Sequence, residues 1–516
     1  MQSTASKPLL FQRLIRWLLV RAKENRIPLT AALVFGCLAH TFAFTNKLIN
    51  HDEAQCLFSK GATVVSGRWG LGALDSVFPN VSMPWIYGVI TLGLFAVSVC
   101  VIVRILCLRS RWTQVLAAGF VLTFPSLTGT FGYLFTASSY GVAFLLAVVS
   151  VWLVRQKKGF QWIMAMGCMV LSLSTYQAYV SVMAALLILA LIRDLLDGGD
   201  AATVFRRGVG YVLFLALGLV LYFGATQIIL RLKHVQMVSY ASDSLSLQPE
   251  TLPAKVLLAY QTFFRYFREG AMGLIPTRLS RRVHLLLLGL VGLLLLLCVV
   301  RKKCRPLALL LMLVLVGLLP LAVNGMFLIT TEDAVHTLVV YSFVSVYLLA
   351  LLLAERCVPS TAGWAELCRR GALNALAAVS AVILITNTYI ANEAYLTLQL
   401  RYENAYAFYT SLIADIKQSP DFTEGSRLAV IGTWDDPDFY EEHLSFTNHL
   451  TGVTGFKPDS YSKERFLQQY IGFSIPFASD AEMEDLQATP EFAEMAVYPY
   501  YGSMRKIGAV FVVKLS

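Results

Sequence analysis

Apolar segments long enough to cross a membrane recur along most of this chain, and they restrict its fold more than any other feature. Hydrophobic residues make up 57% of the 516 residues and charged residues only 14%, whereas soluble domains contain about 25% charged residues. About eleven segments are expected to span a bilayer, since roughly 20 apolar helical residues cross its hydrocarbon core. They lie at residues 28–46, 84–103, 113–130, 133–153, 160–176, 177–192, 209–230, 283–300, 306–328, 337–354 and 372–391. The sequence therefore predicts a mainly α fold, a polytopic transmembrane helical bundle.

The distribution of charge predicts the orientation of the bundle. Residues 1–27 place arginines among Leu, Ile and Trp, so we expect an amphipathic helix on the cytoplasmic face. Short basic clusters at residues 104–111, 155–158 and 301–305 fall on the same side of the predicted spans. With an odd number of spans, the C-terminal segment 392–516 lies on the outer side. We therefore predict a multi-pass protein with a cytoplasmic N-terminus and an extracytoplasmic C-terminal domain.

The predicted domain organisation has three parts. They are the N-terminal helix (1–27), a transmembrane bundle (28–391) with outer loops 47–83 and 231–282, and a small α/β domain (392–516) with a helix at 392–418 and strands at 428–432 and 507–515. The last part carries 9 Lys and Arg against 18 Asp and Glu, so the net charge of +10 arises in the membrane region. That excess fits membrane lipid as a partner and makes nucleic acid an unnecessary one.

The sequence carries no motif for a nucleotide or a structural metal. Its nine cysteines include no CxxC pair, so neither a disulfide framework nor a zinc site is predicted. Walker, HExxH and GxSxG motifs are missing as well. No cofactor is therefore expected as a requirement, and a lipid-linked donor would suit a chain without nucleotide chemistry. Asp435, Asp436 and Asp438 could bind a divalent cation, although a solvated acidic loop is the more usual explanation.

Two adjacent acids, Asp52 and Glu53, directly follow the first span. One of them could act as a general base that removes the proton from an attacking hydroxyl, while the other orients the acceptor. The alternative is that Asp52 caps a short helix that begins at Glu53, with both acids complementing its dipole. We favour the catalytic interpretation, because paired acids at a membrane boundary are costly without a task.

The same loop continues with Gly67, Arg68 and Trp69. The guanidinium of Arg68 could hold a phosphate through two hydrogen bonds, and the Trp69 indole could stack on a sugar ring. The alternative is an interfacial aromatic residue beside an arginine whose charge reaches the headgroups. Lys60 and Asp75 share this loop and are weaker candidates for substrate binding.

Further outer residues extend the candidate site. Arg265 and Arg268 belong to an outer basic set that could compensate the charge of a phosphate leaving group, or simply contact lipid headgroups. Glu332 and Asp333 could form a second acidic element, although capping of the tenth span explains them more simply.

The order of these residues in the first loop resembles the Gtr-type, serotype-converting O-antigen glucosyltransferases of bacteria and their phages. The resemblance rests on the acidic pair, on Gly61 and on the run Gly67-Arg68-Trp69, and more loosely on a terminal strand that carries Lys514. This chain has Asp-Glu where that family commonly has two aspartates, and Trp69 where part of the family has proline.

The resemblance implies a GT-C architecture in the bacterial inner membrane, with a periplasmic C-terminal domain. It implies an undecaprenyl-phosphate sugar donor, with glucose as the expected sugar, and a hydroxyl of O-antigen, as part of lipopolysaccharide, or of another surface glycan as acceptor. Asp52 and Glu53 are then the base candidates, Arg68 the phosphate-side cation, and Lys514 a weaker candidate for binding.

Other functions stay open at this point. A GT-C transferase that modifies lipid A or protein, or an O-antigen polymerase, would share the same architecture. A lipid-sugar flippase would instead need ionisable residues or broken helices at mid-membrane. His40 is one of the few ionisable residues well inside a predicted span, and packing inside the bundle explains it.

Overall fold

In a computed structural model of the protein, most of the chain is described. The described residues are 10–59, 61, 63–74, 77, 81–156, 159–237, 251–270, 275, 277–302, 305–330, 335–359, 363–423, 425–434, 444, 450–453, 458 and 462–516.

The described residues form a helical bundle with a small sheet near the C-terminus, which confirms the predicted fold class. The α-helices are α1 Leu10–Glu24, α2 Arg26–Thr45, α3 His51–Gln55, α4 Trp69–Leu74, α5 Pro84–Leu106, α6 Arg111–Thr123, α7 Pro125–Gly132, α8 Leu134–Val154, α9 Gly159–Thr175, α10 Tyr179–Leu196, α11 Ala201–Leu232, α12 Leu252–Glu269, α13 Arg278–Lys302, α14 Pro306–Val323, α15 Met326–Ile329, α16 Val344–Arg356, α17 Gly363–Gln418, α18 Lys463–Gln469, α19 Asp480–Gln487 and α20 Pro490–Ala493. Short 3-10 helices cover Val64–Ser66 and Thr337–Phe343, and the latter continues into α16.

Nine helices among the described residues are long and apolar enough to span a membrane, and the bent pair α6 and α7 makes a tenth. The expected number was about eleven. The difference is α9, which has 17 residues and is therefore only about 25 Å long, less than the roughly 30 Å of a hydrocarbon core. Even so, α9 follows Arg155 and ends at Thr175, just before Gln177, which bonds the first loop at Ser66. It therefore runs between the same two ends of the bundle as its neighbours.

The predicted third span is divided by a bend of 42° between α6 and α7. Pro125 begins α7, and a proline has no N–H to donate to the carbonyl four residues earlier. The Val121 carbonyl is satisfied instead by the hydroxyl of Tyr341. The bend directs α7 toward the first loop, so that Gly132 reaches the candidate site described below.

His40 forms a hydrogen bond with a second backbone carbonyl at this bend, that of Leu122. Its Nε2 donates to the Leu122 carbonyl at 2.7 Å, so its Nδ1 accepts from the Tyr395 hydroxyl at 2.7 Å. The imidazole is fully buried and stacks on Phe131 with ring centroids 4.4 Å apart. The packing interpretation of His40 is confirmed.

The longest helix, α17, continues without a break from the last predicted span into the C-terminal segment. Its 56 residues correspond to a length of about 84 Å, more than twice the thickness of a hydrocarbon core. Asn392, at the predicted domain boundary, lies inside this helix and donates to the Leu38 carbonyl of α2 at 3.0 Å. The helix predicted over 392–418 is thus the second half of α17.

The C-terminal sheet has three strands in the order β1–β3–β2. Strand β1, Arg427–Ile431, pairs in parallel with β3, Val510–Lys514, and β2, Met504–Ile507, pairs antiparallel with β3. The prediction of one closing strand over 507–515 was wrong, because Gly508 adopts a positive φ of 60° and turns the chain into a β2–β3 hairpin. A left-handed turn of this kind favours glycine.

The first loop and the C-terminal segment share one hydrophobic core. Ile49 and Ala54, which flank the acid pair, are fully buried in a cluster with Tyr409 and Leu412 of α17 and Phe466 of α18. These contacts place the C-terminal segment at the same end of the bundle as Asp52 and Glu53.

Candidate active site

The acid pair lies on α3, a helix of five residues that Asn50 caps. Asn50 has extended backbone geometry, and its Oδ1 accepts from the Glu53 amide at 2.8 Å. Its Nδ2 donates to the carbonyls of Gly132 and Gly452, both at 2.9 Å. The alternative in which Asp52 is the cap was therefore wrong. Asn50 instead fixes α3 to the end of α7 and to the C-terminal segment.

Glu53 is fully buried and its carboxylate has three donors. Lys47 forms an ion pair with it, and the Ser82 hydroxyl donates to the same oxygen, Oε1. Oε2 lies 3.4 Å from the amide of Phe135 in the first turn of α8. An amide at a helix N-terminus has no partner within the helix and favours an anion. Through these contacts the Glu53 carboxylate connects the first loop to α8.

Asp52 is oriented differently, because consecutive residues of a helix point about 100° apart. Its side chain is 36% exposed, whereas that of Glu53 is 0% exposed. Its Oδ2 lies 3.7 Å from Nε2 of the His51 ring. Of the two acids, Asp52 is therefore the more accessible one.

The C-terminal segment covers the other side of α3. The Tyr470 hydroxyl donates to the Glu53 carbonyl at 3.1 Å, and burial together with the Glu53 charge raises the pKa of Tyr470. Burial also raises the pKa of the Cys56 thiol to about 12. Both groups are thus neutral at physiological pH.

The run Gly67-Arg68-Trp69 lies against α9, α10 and α11. Gly67 adopts a positive φ of 74°, and its carbonyl accepts from the Tyr222 hydroxyl at 3.0 Å. The Trp69 Nε1 donates to Thr226 Oγ1 at 3.1 Å. This hydrogen bond turns the half-buried indole toward α11 and directs its polar edge away from solvent.

Arg68 reaches α8 near the acid pair. Its Nη1 donates to the Tyr140 hydroxyl at 3.2 Å, and its guanidinium lies 6.0 Å from the centroid of the Tyr176 ring. Tyr140 is five residues beyond Phe135, which bonds Glu53, so the two contacts are about 7.5 Å apart along the axis of α8. Arg68 and Glu53 therefore both bond to the first two turns of the same helix.

The segment 336–338 lies near both Arg68 and the loop that carries the acid pair. Leu338 packs against Cys56, Tyr133 and Phe135 beside the acid pair. Burial, with a contribution from the Arg68 charge, lowers the pKa of His336 to about 4, so its ring is neutral at pH 7. Within the described part of the chain, the buried His336 Nδ1 has no hydrogen-bond partner.

Close backbone packing requires glycine at position 70. A methyl group added at Gly70 would clash with the Ser174 hydroxyl. The same methyl carbon would also lie only 2.8 Å from Thr175 Oγ1 and 3.0 Å from the Ser174 backbone carbon. At Gly72 the nearest atom to such a methyl group, Thr63 Oγ1, is 3.4 Å away, an ordinary contact.

We expect Gly70→Ala to displace Arg68 and Trp69, costing roughly 1–3 kcal/mol of stability and lowering transfer activity. Gly72→Ala is the matched control and should melt and react like the wild type, as thermal unfolding and a transfer assay can show. Equal behaviour of the two variants would contradict tight docking at Gly70.

Other predicted residues lie elsewhere or outside the described part. Arg265 and Arg268 pair with Glu269 on α12, and their side chains are more than half exposed. Lys514 Nζ donates to the carbonyls of Phe492 and Met495 at 3.3 and 3.1 Å, inside the C-terminal segment. The following candidates lie outside the described residues: Lys60, Asp75, Glu332, Asp333, Asp435, Asp436 and Asp438. In the described ranges, no group of three or more His, Cys, Asp or Glu side chains could hold a metal ion.

Sequence reasoning missed several residues that build the site. Lys47 and Ser82 carried a usable signal, since both lie in the predicted outer loop and one has the charge opposite to Glu53. Tyr140, Gln177 and Tyr222 carried none, because polar aromatic and amide side chains in apolar spans have many possible roles. Only the packing of α8, α10 and α11 against the loop shows what these three residues contact.

The chain is similar to a known protein family. A family model described as Glucosyl transferase GtrII matches residues 41–349, more than half of the chain. No curated protein and no solved structure matches significantly. The matched residues include α3, the run Gly67-Arg68-Trp69, the first turns of α8 and the segment 336–338, and so the elements that form the site within the bundle.

Proposed function

The chain belongs to the glucosyl transferase GtrII family, and we propose that it moves glucose from a polyprenyl-phosphate donor to a hydroxyl of a surface glycan. Undecaprenyl phosphate is the expected carrier and lipid-linked O-antigen the expected acceptor. The unequal environments of the two acids carry this proposal. Glu53 is buried in an ion pair with Lys47, whereas Asp52 on the same short helix is partly exposed and accessible to an acceptor hydroxyl.

In the proposed reaction, Asp52 is the general base. The acceptor hydroxyl gives its proton to an Asp52 carboxylate oxygen while its own oxygen bonds to the anomeric carbon of the donor sugar. The bond from that carbon to the phosphate oxygen breaks, and the electron pair leaves with the polyprenyl phosphate. Attack opposite to the leaving group inverts the anomeric configuration. Fixed positions for base and donor supply part of the rate enhancement through orientation.

Arg68 is the proposed cation on the phosphate side. Its half-buried guanidinium is held against Tyr140 and Tyr176, so it is oriented before the donor arrives and can stabilise the charge that develops on the leaving phosphate. The scheme requires no metal ion. Trp69 is proposed as a wall for the donor sugar, since an indole offers an apolar face.

A lipid-linked donor fits the position of the site. The acid pair follows a candidate membrane span directly and faces elements that themselves begin or end spans. A sugar carried on a membrane lipid reaches such a position by lateral diffusion, whereas this chain has no motif for a nucleotide sugar. The shared core of the first loop and the C-terminal segment supports placing both on the outer face of the inner membrane.

A transfer assay with two donors tests the proposal. We expect the purified protein in lipid nanodiscs to transfer labelled glucose from undecaprenyl-phosphate glucose to an O-antigen acceptor, and to give no product with UDP-glucose. Heat-treated protein is the control. Transfer from UDP-glucose alone would contradict the lipid-linked donor, and movement of the donor across the bilayer without transfer would favour a flippase.

A further inference from the structure

A groove on the side of the bundle takes no part in the proposed reaction. It lies between α10, α11 and α14, has a volume of about 600 Å³ and is lined almost entirely by apolar side chains. Phe205, Val212 and Leu213 of α11 border it and are 59%, 67% and 64% exposed. Exposed apolar side chains on a membrane helix face lipid, so this lateral groove opens toward the bilayer.

The lateral groove runs along the bundle, away from the acid pair. At one end it reaches Ser181 and Gly325, one turn beyond Gln177, which holds the first loop. At the other end it reaches Val204 and Tyr211 near the start of α11. Its lining on α11, from Val204 to Leu219, corresponds to about 22 Å. One leaflet occupies roughly 15 Å, half of the hydrocarbon core, so an acyl chain fits along it.

A cluster of arginines closes the end of the groove that is remote from the acid pair. Asp194, 9% exposed, accepts from three arginines, which we call the arginine cluster: Arg155 at 3.0 and 3.2 Å, Arg207 at 3.2 Å, and Arg193. Three guanidinium groups on one carboxylate leave an excess of positive charge. Arg207 is the most accessible of them, with 38% of its side chain exposed.

The arginine cluster and the lateral groove are continuous. The Arg155 Nη1 donates to the Tyr211 hydroxyl at 3.5 Å, and Tyr211 lines the groove. Arg207 lies three residues after Val204 and four before Tyr211, so the three side chains share one face of α11. A ligand at this place would meet a cationic end and an apolar channel at the same time.

We propose that the lateral groove binds an anionic glycerophospholipid, with its phosphate on Arg207 and Arg155 and one acyl chain along α11. Charge complementarity selects an anionic headgroup, because basic pockets between membrane helices attract such lipids. A polyprenyl-phosphate donor is the less suitable occupant. Its phosphate would have to lie beside Asp52, whereas the arginine cluster lies at the far end of α10, an 18-residue helix about 27 Å long. The groove and the arginine cluster are independent of the proposed transfer reaction, and only the exclusion of the donor lipid rests on it.

Lipid retention measured by native mass spectrometry tests the proposal. The protein would be released from nanodiscs that contain equal amounts of phosphatidylglycerol and phosphatidylethanolamine with matched acyl chains. We expect preferential retention of phosphatidylglycerol. For Arg207→Gln we expect retention to fall about fivefold, since an arginine near an anionic lipid is worth roughly 1 kcal/mol. Arg206→Gln is the matched control, because this exposed neighbour lies about 100° from Arg207 around α11 and should leave retention unchanged.

A second variant tests the groove itself. A methyl group on Gly208 would meet only Leu191, at 3.4 Å, so Gly208→Leu should fold while its side chain occupies the groove. We expect this variant to lose retained phosphatidylglycerol with the arginine cluster intact. Equal retention of the two phospholipids, or equal effects of Arg206→Gln and Arg207→Gln, would overturn the proposal. Stronger retention of added undecaprenyl phosphate, lost in Arg207→Gln, would overturn it as well, because the groove would then hold the carrier lipid.

Discussion

Replacing Asp52 with asparagine should abolish glucosyl transfer and leave the fold intact. The amide cannot take the proton from the acceptor hydroxyl, and loss of a general base costs about 10²–10⁴ in rate. The Asp52 side chain is 36% exposed and its Oδ2 lies 3.7 Å from the His51 ring, which is longer than a hydrogen bond, so its charge contributes little to packing. The effect should therefore fall on kcat, with the melting temperature in detergent unchanged within about 2 °C, as expected for a surface substitution.

Two measurements separate this outcome from a structural effect. Thermal unfolding of Asp52→Asn should coincide with that of the wild type, and donor binding should persist, since Arg68 and Trp69 are untouched. Asp52→Glu keeps the carboxylate and should recover part of the rate. Full activity of Asp52→Asn would remove Asp52 from the reaction. The base would then have to be Glu53 or a residue beyond the described ones, where Glu332 and Asp333 lie.

Replacing Glu53 with glutamine should have the opposite signature, a loss of stability larger than any direct loss of chemistry. The carboxylate is fully buried with Lys47, Ser82 and the Phe135 amide around it. Removing one partner of a buried ion pair leaves the other charge uncompensated and costs about 3–5 kcal/mol. We therefore expect a much lower melting temperature and a smaller yield of inserted protein, with little transfer activity because α3 loses its connection to α8.

A double-mutant cycle isolates the ion pair in this prediction. Lys47→Met should also destabilise the protein, because the buried Glu53 charge then lacks its partner. In the double variant Lys47→Met with Glu53→Gln no isolated charge remains, and part of the stability should return. If Glu53→Gln melted like the wild type but had lost its kcat, Glu53 would be the base and the roles proposed for the two acids would be exchanged.

Much of the fold could be predicted from local sequence. Hydropathy located every long helix of the bundle, because burial of a 20-residue apolar stretch depends on its own side chains more than on its neighbours. Hydropathy was a poorer guide where the length of a helix or the geometry of a turn determines the structure. The 17 residues of α9 are too few for a span by length, and Gly508 divides the expected closing strand into a hairpin. The bend at Pro125 has a sequence cause, but the partner of the freed Val121 carbonyl is Tyr341, more than 200 residues away.

The candidate site shows the same division between local and distant information. Asp52, Glu53, Arg68 and Trp69 could be singled out from the sequence, because an acid pair and a cation beside a span are unusual in composition alone. Which of the two acids is open to a substrate was decided by the tertiary structure. Adjacent acids have the same chemistry, and their environments differ because Lys47, Ser82 and Phe135 surround Glu53 alone. Asn50 fixes this arrangement, since it holds α7 and the C-terminal segment to α3. Exposure and charge pairing depend on residues far apart in the chain, and no local pattern records them.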